Sequence, residues 1–468
     1  MFSSRHELFS YNLYRHGRRF RNLWPNTQTL LNFKSPLKNK VDVPKPKRQK
    51  SIISFQDALR VTLIIGQVFS LMPVVGVFSS VANDVKFVTK SWKCVYSLLS
   101  LVGQTFMTVL CINKMAESKG SLNTTTPVIF YGTTCVTMIM FFQVARRWPQ
   151  LVQNIAKTEE MDPNFDCSLT RRCYITCAVV LLLALMEHIL SLLVAFAGAA
   201  ACNAEMGTYQ GFVTHFYPWV FNVLPYSTIM GMTTQFLHVQ STFIWNFSDL
   251  FVICMSYYLQ SRLQQVNKKL LAAQGKYLPE IFWRATREDY CRATQIVRKV
   301  DEAISGVVFI SFANNLFFIC LQLFNTLEDG FKGTGECNGP LGGHEAATYF
   351  LFSLVYLLTR SVAVSLIASQ VNTASSVPAP VLYDVPSPVY CVEVQRFLDQ
   401  VNGDKVALSG LQFFSVTKGL LLSVAGTIVT YELVMFQFNS STPTLNITSE
   451  TVLPPIPNVT TAETTLVS

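Results

Sequence analysis

Thr242, Trp245, Asn246 and Asp249 fall at offsets of three and four, so a helix carrying them sets a hydroxyl, an indole, an amide and a carboxylate on one face. Acids and amides take up ligand hydroxyls and aromatic rings stack on C–H faces, so these groups together suit an uncharged, polyhydroxylated molecule. The same residues allow a second reading. A tryptophan near the edge of a membrane anchors the interface, and Asp249 inside a span can pair with Arg360 instead of a ligand. Glu187 and His188 pose the same alternatives, either functional groups or a polar pair that a helix bundle satisfies internally. No phosphate loop, nucleophile–base arrangement or metal-ligand spacing occurs, so nothing points to catalysis, a cofactor or a metal.

The elements that must position these groups are apolar. Half of the 468 residues are hydrophobic and 14% are charged, against roughly a quarter charged in ordinary soluble domains. This is the composition of a polytopic membrane protein. Eight apolar segments can be counted: Val61 to Val81, Trp92 to Ile112, Thr125 to Ala145, Tyr174 to Cys202, Gln235 to Leu259, Ile304 to Thr326, Ala346 to Val371 and Gly419 to Phe438. The last holds 20 residues and one charge, Glu432; at about 1.5 Å rise each they cross roughly 30 Å, the thickness of bilayer hydrocarbon. Within it Thr430 and Gln437 are seven residues apart, as are Tyr431 and Phe438, giving two adjacent stripes on one side. Such a face meets water or protein, and a hydrogen bond to a neighbouring helix satisfies it as well as a pore does. Glu432 is one residue off the stripe and needs a partner, a proton or water.

Charge sets the orientation. Residues 1–60 carry 13 Lys or Arg against three acids, and such an arm marks the cytoplasmic side and touches anionic lipid. The tail after Phe438 has no Lys or Arg and carries sequons at Asn446 and Asn458, so it belongs outside. Working back, the loops 203–234 and 327–345 are external, and the basic loops 146–173 and 261–303 are internal. Val61 to Val81 then needs cytoplasm at both ends. Pro73, Gly66 and Gly76 would break it, so it reads as re-entrant or interfacial, leaving seven spans.

Trp283, Tyr290, Val297 and Ile304 recur every seven residues, with Val300 on the same face, which predicts a cytosolic amphipathic helix continuous with the following span. Leu263, Val266 and Leu270 extend the preceding span in the same way. Pro378, Pro380, Pro386 and Pro388 argue against a helix in the linker 377–390. The twelve cysteines lie mostly in apolar runs as buried thiols; Cys202 and Cys337 alone fall on the outer side, where a bridge is open.

TYELVMFQF, residues 430–438, resembles the TYhhhhhQF signature (h, hydrophobic) closing the last helix of insect gustatory receptors, and TYE is the form of their sugar-receptor branch. VALSGLQFF at Val406, CVEVQRFLDQ at Cys391, WNFSDLF at Trp245, MEH at Met186 and FSLMPVVGV at Phe69 resemble the same branch, so the similarity runs from Phe55 to Phe438. It implies an all-α integral membrane protein of seven transmembrane helices, N-terminus cytoplasmic and C-terminus extracellular, plus an N-terminal re-entrant segment, assembled as a pore-forming tetramer. A G-protein-coupled receptor has the opposite orientation. The resemblance implies a sugar-gated, non-selective cation channel in the plasma membrane of gustatory neurons, as a homotetramer or a heterotetramer with related receptors. A sugar transporter, for which no internal repeat is found, and a metabotropic seven-helix receptor are the alternatives. Mono- or disaccharides and membrane lipid are the implied partners, with no nucleic acid.

By this resemblance Gln437 and Phe438 form the narrowest ring, with Thr430 and Val434 below. It also favours the ligand reading for Trp245, Asn246 and Asp249, with Thr242, Glu187, His188, Tyr349 and Tyr356 completing the site. His215, Tyr217 and Trp219 would close the pocket from above, and Asn314 and Asn315 would line a further wall. The organisation that follows is a basic cytoplasmic arm (1–60), a re-entrant segment and linker (61–90), helices 1–4 (91–260), cytosolic extensions forming the subunit contact (261–303), helices 5–6 (304–372), a cytosolic linker with the start of the last helix (373–418), the pore-lining helix (419–438) and an extracellular tail (439–468). The orientation is checked by glycan mapping. Glycan on Asn446 or Asn458 is expected, and a tail that is unmodified and accessible only from the cytosol would overturn it.

Overall fold

The computed structural model describes residues 54–79, 81–118, 122–161, 166–202, 208–329 and 344–440. The basic arm up to residue 53, Cys337 and the sequons at Asn446 and Asn458 lie outside these, as do the side chains of Cys202 and Phe438. In chain order the elements are α1 (Ser54–Val68), β1 (Val74–Val75), β2 (Lys86–Phe87), α2 (Trp92–Glu117), α3 (Leu122–Met161), α4 (Cys167–Cys202), the short α5 (Thr208–Phe216) and α6 (Pro218–Phe221), and α7 (Thr228–Leu271). There follow α8 (Glu280–Asp329), α9 (His344–Ser376), α10 (Pro378–Tyr383), α11 (Val392–Gly403), β3 (Ser409–Gly410), β4 (Phe414–Ser415) and α12 (Lys418–Ser440).

Among the described residues five helices are long and apolar enough to cross a membrane: α2, α3, α4, α8 and the run Ala346–Tyr383, which covers most of α9. With them stands α7, the 44-residue helix at the centre of the bundle, whose polar residues Gln240, Ser241, Asn246, Ser248, Asp249 and Ser256 are all buried. Its hydropathy is diluted because it turns polar groups inward, where other helices satisfy them, instead of toward lipid. This is an all-α multi-pass membrane protein.

The first apolar segment does not run through. α1 ends at Val68, and Ser70 and Met72 take left-handed backbone, at φ of 62° and 51°. Gly66, expected to break the helix, lies inside it; its bare backbone lets the Phe247 ring close in, with Cζ 2.7 Å from where a Cβ would stand. The break frees backbone carbonyls where hydrocarbon offers no donor, and side chains supply them. Tyr96 donates to the Val68 carbonyl at 2.9 Å, Ser97 to that of Ser70, and Gln67 to those of Met72 and Val74 at 3.2 and 2.8 Å. Lys93 in turn donates to Gln67 Oε1 at 2.6 Å. The chain then returns through the antiparallel pair Val74 to Phe87 and Val75 to Lys86.

Toward the N-terminal end of α8, Trp283, Tyr290, Val297, Val300 and Ile304 are all buried within the chain. The Tyr290 hydroxyl donates to the Ser375 carbonyl at 3.0 Å and its ring meets Phe397 of α11 at 5.2 Å. Arg287 pairs with Glu393 at 2.9 Å. The seven-residue apolar face read as a subunit contact is thus occupied by the chain's own α9 and α11. The linker departs from expectation too, because residues 378–383 are helical. Pro378 and Pro380 stand in the first turn, where N–H groups have no intrahelical acceptor to lose.

The β3–β4 hairpin fixes the base of α12. Asp301 of α8 accepts from the Ser409 amide at 2.6 Å and from its hydroxyl at 2.8 Å, and Phe414 packs on Phe309 and Phe312.

Gly76 offers a test of the turn that follows α1. Its φ is +86° and a Cβ there would stand 2.2 Å from the Asp84 carbonyl oxygen, which is backbone and cannot swing away. Gly76→Ala is expected to cost about 1–3 kcal/mol, read as a lower unfolding midpoint of purified protein in detergent; an unchanged midpoint would show that the turn is not needed.

Candidate ligand pocket and last helix

Between α3, α4, α5, α7 and α9 lies a cavity of about 350 Å³. α4 contributes Glu187, His188 and Ser191, α7 contributes His238, Thr242 and Trp245, and α9 contributes Tyr349; Phe130 and Phe216 add ring faces. No lysine or arginine is among the lining residues. Glu187 Oε1 accepts from the Ser353 hydroxyl at 2.7 Å, which orients the carboxylate. The Tyr131 hydroxyl lies 3.0 Å from His238 Nδ1, and the His238 ring is boxed by Phe216 and Tyr217 at 5.4 and 5.5 Å. Two polar atoms of lining residues, His188 Nε2 and Trp245 Nε1, are buried without a hydrogen-bond partner among the described residues. A buried donor or acceptor left unpaired costs about 1–3 kcal/mol, so these atoms mark where a ligand would restore what folding removed.

Beneath the cavity is a buried polar network. Arg360 of α9 places Nε 2.9 Å from Asp249 Oδ2, and its two terminal nitrogens donate to Asn246 and, at 3.3 Å, to Asn315. Asp249 also accepts from Ser311 and, at 3.0 Å, from Asn315 Nδ2. Tyr356 donates to Asn246 Oδ1 at 2.7 Å. The guanidinium lies 4.4 Å from the centre of the Trp245 ring.

The sequence-derived site therefore divides. Glu187, His188, Thr242, Trp245 and Tyr349 line the cavity. Asn246, Asp249 and Tyr356 do not, because their polar atoms are engaged with one another, with Arg360 and with α8. Asn315 belongs to the same network. Of the residues expected above the pocket, Tyr217 is buried against His238 and Trp219 packs on Tyr131 at 6.2 Å, while Phe216 and not His215 reaches the cavity. His238 and Ser191 were missed, although His238 stands four residues before Thr242 and seven before Trp245, on the face already singled out.

α12 meets the body through one edge. Leu420, Leu421, Val424 and Ile428 share a second cavity of about 370 Å³ with Ile319 of α8 and Leu358 of α9. Thr430, Val434 and Gln437 are exposed on the other side. Ile428 packs against the cluster of Phe318, Ile319 and Leu357, and Phe318 stacks on Trp245 at 4.6 Å, so a continuous apolar contact joins the pocket wall to the last helix. Both carboxylate oxygens of Glu432 are buried with no hydrogen-bond partner among the described residues, so the partner expected for it is not found there.

A long-helix membrane bundle with a pocket between its helices and a last helix attached by one edge is a chemoreceptor architecture. The structure is similar to the insect olfactory receptor OR5 of Machilis hrabei in complex with eugenol, with a TM-score of 0.56 and 14% identity, covering 83% of this chain and 100% of that one. The profile of the trehalose receptor family matches residues 38–446. The chain is 36% identical to the gustatory receptor for sugar taste 64f of Drosophila melanogaster over 391 residues, 82% of this chain and 81% of that one. It is 33% identical to the gustatory receptor 5a for trehalose of the same organism over 396 residues, 84% and 86% of the two chains. The chain belongs to the trehalose receptor family of insect gustatory receptors.

Removing one partner of a buried ion pair strands the other charge. Asp249→Ala is therefore expected to cost about 3–5 kcal/mol of stability, seen as loss of folded, surface-expressed receptor. Wild-type surface levels would show that Arg360 finds another counter-charge.

Proposed function

We propose that this chain is a subunit of a sugar-gated, non-selective cation channel that serves taste in the plasma membrane of gustatory neurons. The observation that carries the reading is the cavity itself. A carboxylate, two imidazoles and three hydroxyl-bearing residues share it with an indole, and His188 Nε2 and Trp245 Nε1 stand there without partners. Hydroxyls supply the missing partners and C–H faces stack on the rings. The absence of basic lining residues suits an uncharged ligand better than a phosphate or an acid. The names of the curated relatives, sugar taste and trehalose, support the same class of ligand.

In this reading α2, α3, α4, α7, α8, α9 and α12 are the seven spans, the N-terminus is cytoplasmic and its basic arm lies against anionic lipid. Four chains, identical or mixed with related receptors, set their α12 helices around a common axis. The exposed edge with Thr430, Val434 and Gln437 faces that axis, and Phe438 completes the ring. Apolar Leu421, Val424 and Ile428 hold the opposite edge. The exposed outer surface of the cytosolic part, with Tyr277, Ile281, Tyr383 and Val392, supplies the subunit contact in place of the face buried inside the chain. A ring of bulky side chains excludes hydrated ions by dewetting, and drawing each α12 back into the space beside α8 and α9 opens it.

Magnitudes allow this. A dissociation constant of about 1 mM is worth about −4 kcal/mol. Taking a gate from 1:99 to 99:1 open needs about 5.5 kcal/mol of differential binding, about 1.4 kcal/mol from each of four sites. A tenfold preference per site is enough.

Expression of the chain alone in cells without taste machinery, with current recorded on adding mono- and disaccharides including trehalose, tests the proposal. Current that survives loss of G-protein signalling is expected, and Gln437→Ala should alter leak or ion selectivity while purified protein still binds sugar. Sugar uptake without current would replace the channel by a transporter, and a response lost with G-protein signalling would replace it by a metabotropic receptor.

A further inference from the structure

Trp245 belongs to the pocket wall and also touches the buried charge network beneath it. The Arg360 guanidinium carbon lies over its indole, 4.4 Å from the ring centre, and the Phe318 ring leans against it, tilted by 38° with centroids 4.6 Å apart. Arg360 is itself held from three helices, by Asp249 and Asn246 of α7, Asn315 of α8, and the Tyr356 ring of its own α9 at 5.3 Å. Arg360 is 4% exposed and Asp249 is fully buried, and neither touches the cavity.

Such a pair is a poor device for stability alone, since replacing a buried ion pair by apolar residues of similar size is often neutral or stabilising. What apolar residues cannot supply is direction. A guanidinium is flat, donates in a fixed fork and stacks on aromatic faces, so its ties to Asn246, Asp249 and Asn315 fix the plane it offers to the indole. An ammonium has neither the fork nor the face.

We propose that Arg360 is a positioning residue of the sugar pocket, which sets the orientation of the Trp245 indole and so where its Nε1 meets the ligand. The proposal rests on the reading of the cavity as a sugar site. It explains why a charge stands in the membrane interior without reaching the ligand, and it assigns Asp249 to the support of that charge and not to a sugar hydroxyl.

The test compares full-length receptors in cells by dose response, with surface protein measured in parallel. Arg360→Lys keeps the charge opposite Asp249 and loses the planar stack. The sugar concentration for half-maximal current should rise about tenfold, with the maximal current per surface receptor retained. The paired change Arg360→Met with Asp249→Leu removes both charges together, so surface protein should stay near the wild-type level while the half-maximal concentration stays raised. A wild-type dose response in Arg360→Lys, or in the paired variant, would overturn the proposal and leave Arg360 a structural residue. Raised half-maximal concentrations that merely track lost surface protein would overturn it as well. If wild-type receptor passes no current with any sugar, it is the sugar-channel reading that fails.

Discussion

Hydrocarbon gives a polar group no partner, and the interior of this bundle is arranged around that fact. α7 carries amides, hydroxyls and a carboxylate through the core, and each of its neighbours supplies something to meet them. α2 offers Gln104, whose amide nitrogen reaches the Leu237 carbonyl at 2.8 Å; α8 offers Ser311 and Asn315; α9 offers Tyr356 and Arg360. Individually such bonds are worth about 1 kcal/mol, but the alternative is an unpaired group in lipid, so each specifies which helix stands beside which. The turn after α1 obeys the same rule with side chains of α1 and α2.

Satisfaction is not uniform. Asn246, Asp249, Asn315 and Tyr356 are engaged with one another and with Arg360. One helical turn toward the start of α7, Trp245 Nε1, with His188 Nε2 of α4, has no hydrogen-bond partner among the described residues and stands at an empty volume. Scaffold and cavity wall thus lie within a few residues of one another on α7. Tyr131, with its hydroxyl against His238 Nδ1, extends that scaffold to the α3 side.

Much of this was legible in the sequence because periodicity and charge report on faces and sides. The spacing of residues 242, 245, 246 and 249 gave one face of a helix, and the alternation of basic and neutral loops gave an orientation to argue from. Periodicity fails where two residues share a face at different depths. Trp245 and Asp249 are one turn apart, yet one lines the cavity and the other is covered by Arg360 from a helix 111 positions later in the sequence. The heptad at Trp283 and Tyr290 shows the same limit, since a pattern states that a face is covered and not by what; here α9 and α11 cover it. The prolines at 378 and 380 misled for a local reason, because their place within the first turn decides their effect and their number does not.

The void of about 370 Å³ between α8, α9 and α12 gives the molecule uneven stiffness. Around Asn246 and Asp249 of α7, hydrogen bonds tie the helices together, whereas the last helix leans on a gap lined by hydrocarbon side chains. A wall of that kind can shift by changing its van der Waals contacts without breaking a hydrogen bond. Hydrostatic pressure therefore bears on the seam of α12 with α8 and α9 more than on the hydrogen-bonded contacts around Asp249.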